Sequence, residues 1–287
     1  MRVNSWVAVL LCCCAGATAA ADEARTGGPF VPTPQAVVDE MLKVADVRKD
    51  DFVIDLGSGD GRIVLTAARR YEARGMGVDI DGELVERSNA EAQRDGLDRL
   101  VSFHKQDVLQ TDISGASVLA LYLLPSMMQS LRSKILSELK PGSRVVSHDF
   151  EFGEWLPDRK ITVDAPDKYG SGSNWTSHVM LWVVPARVEG TWRLTLSGSA
   201  EKPYTMTLKQ KFQHLEGAAA RGGQKVGLKA ARLEGSRISF VLPSDGPRGR
   251  TREFHGVVDG DEIRGEAAAQ GATGWTARRV VTAAQRR

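Results

Sequence analysis

The residues best suited to chemistry lie in one stretch, Val53-Ile54-Asp55-Leu56-Gly57-Ser58-Gly59-Asp60-Gly61-Arg62. Glycine at three alternate positions allows positive φ and lets a ligand approach the backbone with no Cβ in the way. At the carboxyl end of a first strand, such a loop is where an open α/β sheet binds nucleotide-like ligands. The spacing is G-x-G-x-G, whereas a dinucleotide fingerprint needs G-x-G-x-x-G with its helix N-terminus facing a pyrophosphate. Asp55 and Asp60 add two carboxylates that would repel a pyrophosphate and suit a ligand bearing an ammonium and a sulfonium. Asp79 closes the next strand, Gly75-Met76-Gly77-Val78-Asp79, 22 residues after Gly57. That is about the ~20-residue spacing at which an acid meets ribose hydroxyls in such folds. An NAD-dependent oxidoreductase is excluded by the glycine spacing.

These elements must come from alternating strands and helices. An apolar strand from Phe52 to Asp55 runs into the loop, and an amphipathic helix, Ile63 to Tyr71, follows it. A helix over Gly82 to Asp95, a strand over Leu100 to His104, a strand over Val118 to Leu123, a helix over Met127 to Leu139 and a strand over Ser143 to Ser147 continue the pattern. Ile161 to Asp164 and His178 to Val184 then pair as a terminal antiparallel hairpin around a Gly/Ser-rich loop, Tyr169 to Asn174. Ahead of all this, Thr33 offers an N-cap oxygen and Pro34 a first helical position for a helix with Val38, Met41, Leu42 and Ala45 on one face. That helix brings the Phe30 to Thr33 segment over the ligand, or Thr33 and its neighbours serve only as cap and staple. The fold class expected is α/β, a Rossmann-like doubly wound sheet of seven strands.

The glycine loop, Asp79 and Asp107, which follows the third strand, resemble the cofactor motifs of the class I S-adenosylmethionine-dependent methyltransferases. The resemblance covers roughly residues 30 to 185. Within that family the chain is most similar to the protein-lysine N-methyltransferases that act on mitochondrial membrane proteins, and to their bacterial relatives. The narrower match rests on Phe30-Val31-Pro32-Thr33-Pro34, the D-L-G-S-G-D-G-R loop, Leu123-Leu124-Pro125 with Met127-Met128, and Phe150 to Pro157 with Trp155.

The resemblance implies S-adenosyl-L-methionine as cofactor, contacted by Thr33, Asp55, Gly57, Ser58, Gly59, Gly61, Asp79, Ile80, Asp107 and Val108. Asp79 would accept both ribose hydroxyls. Asp55 would orient the loop or reach the cofactor's amino group through water, or act as a strand-end turn former. Asp107 would take the adenine amino group with Gln106 or Val108 flanking the ring, or close a turn. Asp81 reads as a cofactor neighbour or a helix N-terminal acid. Where many N-methyltransferases carry an acidic or asparagine-proline-proline motif after the fourth strand, this chain has Tyr122-Leu123-Leu124-Pro125. That departure disfavours DNA bases and glutamine amides and leaves an apolar channel for a lysine stem, capped by Tyr122. Tyr122, His148 and Asp149 are the catalytic candidates; His148 and Asp149 would accept a proton or steer an ammonium, unless His148 is a satisfied structural histidine. No metal-ligand spacing and no Ser-His-Asp arrangement appears.

From Arg187 onward short β-prone stretches separated by glycine replace helical periodicity, and Val188-Glu189-Gly190, Leu215-Glu216-Gly217, Leu233-Glu234-Gly235 and Ile263-Arg264-Gly265 repeat a hydrophobic-x-Gly step. This predicts a small all-β antiparallel C-terminal domain, a meander or barrel with Trp192 and Trp275 in its core. The 287 residues thus divide into a signal peptide (1–21), a flexible start (22–28), a methyltransferase domain (29–185) and an antiparallel β domain (186–287). Residues 1–185 hold 20 basic and 26 acidic side chains and residues 186–287 hold 18 and 10. The basic tail either meets an acidic partner or is a solvated face; no basic run suits a nucleic acid, and none is expected as a partner.

The leader rests on Arg2, an apolar Trp6–Cys14 core and the small residues Ala17 to Ala21. The apolar core is too short to cross a bilayer permanently. Cys12, Cys13 and Cys14 all fall within it, so cleavage would leave no thiol for a disulfide or metal. This predicts an exported or membrane-associated chain, in a bacterial periplasm, or a cytoplasmic one if the leader is retained, with membrane proximity for its protein substrate. Export conflicts with a cofactor made in the cytosol, so the alternative to a lysine methyltransferase is an exported, non-enzymatic binding protein on the same fold.

Overall fold

The computed structural model describes residues 30–168, 175–198, 200–243, 251–268 and 274–280. The expected leader and flexible start, and the Tyr169 to Asn174 loop, lie outside the described residues. Seven strands form the first sheet: β1 (Phe52–Leu56), β2 (Arg74–Asp79), β3 (Val101–Lys105), β4 (Val118–Leu121), β5 (Arg144–His148), β6 (Arg159–Asp164) and β7 (Thr176–Val183). Between and before them run helices α1 (Gln35–Val44), α2 (Arg62–Tyr71), α3 (Gly82–Arg94) and α4 (Pro125–Glu138). Most expected boundaries fall within two residues of these, because alternating apolar runs of period 2 and 3.6 mark strands and helices locally.

The sheet order is β3-β2-β1-β4-β5-β7-β6. β1 and β2 are parallel, Phe52 opposite Arg74 through Leu56 opposite Val78, and β2 and β3 continue from Gly75 opposite Val101 to Asp79 opposite Lys105. The order reverses at β1, with β2 and β3 on one side and β4 and β5 on the other. In open α/β sheets that reversal opens a crevice at the strands' carboxyl ends. β4 is buried along its whole length, and β1 at every residue after Phe52. Val64, Leu65 and Ala68 of α2, Val85 and Ala92 of α3, and Val101 and Phe103 of β3 form one apolar cluster that fixes both helices against the sheet.

One local expectation is corrected. Pro34, not Thr33, is the N-cap of α1, the helix starts at Gln35, and no side chain caps it. The Thr33 hydroxyl is taken by a distant partner, His148, so it is not free to turn back on the helix. The apolar face is as expected, with Val38, Met41, Leu42 and Ala45 fully buried.

The second sheet has nine strands: β8 (Gly190–Leu196), β9 (Tyr204–Lys211), β10 (His214–Arg221), β11 (Gln224–Gly227), β12 (Lys229–Glu234), β13 (Arg237–Pro243), β14 (Thr251–Asp259), β15 (Glu262–Ala268) and β16 (Trp275–Arg279). Its order is β11-β10-β9-β8-β16-β15-β14-β13-β12, antiparallel throughout. It curls until β10 approaches β12, a nearly closed barrel. Trp192 and Trp275 are buried in its core, where Trp275 meets the Phe240 and Phe254 rings edge-on at 5.6 Å. The repeated glycines are not all separators: Gly217 and Gly265 lie inside β10 and β15. A Cβ on Gly265 would run into His255 O and the Gly256 Cα of β14 and lie 2.7 Å from the Trp275 indole nitrogen, so the neighbouring strands, not a turn, demand the glycine.

The chain forms two compact units. One joins the described residues up to Asp112 with Leu119–Lys134 and Val146–Met180; the other joins Ile113–Val118, Ile135–Val145 and the chain from Leu181 onward.

Candidate active site

A cleft of about 420 Å³ opens at the carboxyl ends of β1, β2 and β4, within the first unit. Its wall gathers Thr33, Asp55, Gly57, Ser58, Gly59, Asp79, Ile80 and Tyr122 from the expected site residues, and adds Phe30, Leu123, Leu124 and Phe150. The loop is shaped from its own backbone. Gly57 and Ser58 both donate their N–H to Val78 O (2.8 and 2.9 Å), and Gly61 N–H reaches Ser58 O at 2.8 Å. Gly57 takes φ 79° and Gly59 φ 54°, the left-handed region that a side chain resists. A Cβ on Gly57 would lie 2.7 Å from Leu123. Gly61 is the N-cap of α2, which has no side-chain cap, and its own Cα faces Phe103 and Ser88 rather than the cleft.

Asp79 secures the loop with both oxygens: Oδ2 accepts from Gly59 N–H at 2.8 Å and Oδ1 from Asp81 N–H at 3.0 Å. Asp81 is the N-cap of α3, its Oδ1 accepting from Glu83 N–H at 2.9 Å. Asp60 does not offer free charge to the cleft. Arg62 Nε donates to its Oδ1 at 2.8 Å, and although burial raises the carboxyl's pKa, this guanidinium holds it below its ordinary value. The tripeptide Asp60-Gly61-Arg62 was the available signal, with opposite charges two residues apart.

Asp55 is the reverse case. It is 2% exposed, and burial, then the nearby charges of Asp79 and Asp60, push its pKa up to about 8. A buried carboxyl this reluctant to ionise is poised to pair with a cation. Ser58 Oγ is buried with no hydrogen-bond partner. Such orphaned groups are rare in folded proteins and at a binding site await a ligand atom.

Asp107 and Val108 lie off the cleft wall. Asp107 Oδ1 accepts from Leu109 N–H at 2.8 Å and its carbonyl from Thr111 Oγ1 at 2.9 Å, closing a turn. Gln106 stays close, its N–H on Asp79 O at 2.9 Å. His148 and Asp149 are also off the wall. His148 is fully buried, between Thr33 Oγ1 (3.2 Å to Nδ1) and Ser177 Oγ (2.9 Å to Nε2), with the Tyr122 ring centroid 3.9 Å from its own. Burial lowers its pKa to about 4, against the opposing pull of Asp149, with the Lys168 cation adding to the fall. Burial would raise Asp149, but its ion pair with Lys168 and the N–H of His178 (2.8 Å) hold it below its ordinary range. Lys168 and Ser177 have no sequence signal, since their partners are 19 and 29 residues away.

A larger groove, about 1000 Å³, crosses β10 and β12 to β15 of the second unit. Its wall mixes Arg232, Arg237 and Arg264 with Glu216, Glu234 and Glu266, and none of the strand-end chemistry is there.

The site fits a sulfonium nucleoside: a glycine cradle, an unpartnered serine hydroxyl, a strand-end acid and a buried carboxyl that a cation would ionise. Known proteins agree. The family model for the ANTKMT methyltransferase domain matches residues 55–159. A protein-lysine N-methyltransferase of Saccharolobus islandicus is 42% identical over 137 residues, 47% of this chain and 85% of that protein. The Mus musculus adenine nucleotide translocase lysine N-methyltransferase is 34% identical over 50% of this chain and 65% of its own. The chain therefore spans just under two thirds of that animal relative. A crystal structure of an RNA methyltransferase from Salinibacter ruber, in complex with S-adenosyl-L-homocysteine, is 45% identical over 55% of this chain and 96% of that one, with a TM-score of 0.50. The chain belongs to the S-adenosylmethionine-dependent methyltransferases, in the family of protein-lysine N-methyltransferases that carry the ANTKMT methyltransferase domain.

Proposed function

We propose that this chain methylates the ε-amino nitrogen of a lysine in a protein. The observation that carries the reading is the wall beyond the cofactor loop: Tyr122, Leu123, Leu124 and Phe150 are apolar or aromatic, and the Tyr122 and Phe150 rings stack with centroids 6.0 Å apart. An aliphatic stem fits between such walls, and aromatic faces attract an ammonium. The Saccharolobus relative, of which 85% is covered, is itself a protein-lysine N-methyltransferase.

When bound, S-adenosylmethionine supplies an activated methyl group, so the protein's task is placement and exclusion of water. Gly57, Ser58 and Gly59 cradle the nucleoside, Asp79 accepts the ribose hydroxyls, and Asp55 faces the cofactor's ammonium. Tyr122 bounds the acceptor channel and holds the lysine stem in line. The lysine nitrogen enters after losing its proton to solvent; His148, turned to Thr33 and Ser177, serves as no base. Asp107 closes a turn that sets the chain after β3 and keeps Gln106, bonded to Asp79 O, nearest the adenine end.

The protein substrate lies near a membrane, and the chain is exported or membrane-associated. Fractionation with a C-terminal epitope tests this; a protein found solely in cytosol would contradict it. The basic stretch 186–287 meets an acidic partner. For the reaction itself, the purified chain, labelled S-adenosylmethionine and an extract divided into protein and RNA pools form the test. Label on protein lysines, read by mass spectrometry, is expected. Label in RNA alone, as the Salinibacter relative would have it, would replace this reading, and label in neither would end it.

A further inference from the structure

The segment ahead of α1 is held in an unusual way. Thr33 is 4% exposed, and it is bound at two atoms by two distant elements. Its hydroxyl meets His148 Nδ1 at 3.2 Å, and its carbonyl accepts from Arg62 Nη1 at 2.8 Å. Arg62 in turn pairs with Asp60 inside the glycine loop. The other imidazole nitrogen of His148 meets Ser177 Oγ at 2.9 Å, so a neutral ring can accept from one hydroxyl and donate to the other. The Tyr122 ring, 3.9 Å away, fixes the plane of the imidazole. At the free end, Phe30 lies over the loop: a Cβ on Gly59 would come within 2.8 Å of Phe30 Cδ2. Phe30 is 48% exposed, which makes it a cover with one face to solvent. Pro32 and Pro34 flank Thr33 and restrict the backbone between cover and anchor.

We propose that His148 is a positioning residue that latches Phe30–Thr33 as a strap over the cofactor loop, with Thr33 as the point of attachment. The proposal rests on the cleft being the S-adenosylmethionine site. His148 acts on the cofactor only through Thr33; it touches no reacting atom. Ser177 holds the imidazole from behind, and Arg62 ties the strap to the loop it covers. The strap slows cofactor release by requiring Thr33 to leave both partners before Phe30 can lift.

The test is calorimetric titration of the full chain with S-adenosylmethionine, with hydrogen exchange read at the Phe30, Val31 and Thr33 amides. Thr33→Val keeps the shape and removes the hydroxyl; it should weaken cofactor binding about tenfold, the scale of one buried hydrogen bond. The same variant should speed exchange at those amides and raise KM for the cofactor by a larger factor than it lowers kcat. Thr33→Ser should restore wild-type affinity. A Thr33→Val protein that binds and exchanges like wild type overturns the strap. Should Thr33→Val fail to fold, Phe30→Ala decides, because a half-exposed ring can be removed safely. It should weaken binding about fivefold through lost apolar cover, and unchanged affinity there overturns the proposal as well. Absence of heat with the wild-type chain would sink the cofactor reading itself, a result distinct from any difference among variants.

Discussion

Asp55 sets a conflict that the cofactor resolves. Burial and two neighbouring acids hold its pKa near 8, so at neutral pH the empty site keeps the carboxyl protonated, and an arriving ammonium favours the carboxylate. Cofactor binding at pH 7 should therefore release about one proton. Titrations in buffers of different ionisation enthalpy measure that number, and a value of zero would contradict an ammonium contact. The same shift affects stability, because the folded pKa lies above the unfolded one. Asp55 contributes stability that is present below about pH 4 and lost as pH rises toward 8. Asp55→Asn should then raise the melting temperature of the cofactor-free protein by about 5 °C at pH 8.5, give no gain near pH 4, and weaken cofactor binding at both. At this scale the sequence reveals what is local. Gly57, Gly59 and Asp79 are legible from alternation and strand-end spacing. The Thr33–His148–Ser177 chain joins residues up to 115 positions apart and leaves no local trace.

The elements hold the cleft through a few polar pins, of which Asn89 is the most open to test. β3 is an edge strand, so one row of its backbone groups has no strand partner. Asn89 on α3 replaces that partner: its Nδ2 donates to Phe103 O at 2.9 Å and its Oδ1 accepts from Phe103 N–H at 3.1 Å. Phe103 lies under the loop, where a Cβ on Gly61 would be 2.7 Å from its ring. Asn89→Ala should destabilise the fold by about 2 kcal/mol, two lost hydrogen bonds with their backbone partners left unmet. Urea denaturation measures this, and a change below about 0.5 kcal/mol, the scale of an ordinary surface substitution, would mean that water satisfies Phe103 equally well. The strands and helices themselves are legible because their period is carried by consecutive residues. Gly265 reads as a separator in the sequence because the clash that requires it comes first from the His255 and Gly256 backbone of β14, and then from Trp275 on β16. Thr33 reads as the cap of α1 because nothing nearby shows that His148 draws it away.

Across the whole molecule, charge and packing divide the chain differently. Charge changes sign near Pro185, from 20 basic and 26 acidic side chains before it to 18 and 10 after it. Packing does not break at one position, since Ile113–Val118 and Ile135–Val145 belong to the same compact unit as the chain from Leu181 onward. Within that unit Ser143 Oγ donates to Ala116 O at 3.0 Å, Gly142 N–H to Val184 O at 2.8 Å, Ala186 N–H to Gly235 O at 2.8 Å and Arg187 Nη2 to Leu136 O at 3.2 Å. A chain ended after Pro185 keeps the first two bonds and loses the last two, together with the packing around Leu136, Leu139 and Pro141. It should melt about 5 °C or more below the full chain, as expected when a few kcal/mol of packing is removed. Every residue lining the cofactor cleft belongs to the other unit. Its affinity for S-adenosylmethionine at a temperature where it is folded should thus stay within about threefold of the full chain, a difference of about 0.7 kcal/mol or less. Thermal melts and calorimetry on the two chains separate the outcomes. Equal melting temperatures would make the break at Pro185 a true domain boundary, and loss of affinity in a folded short chain would make the β unit part of the cofactor site.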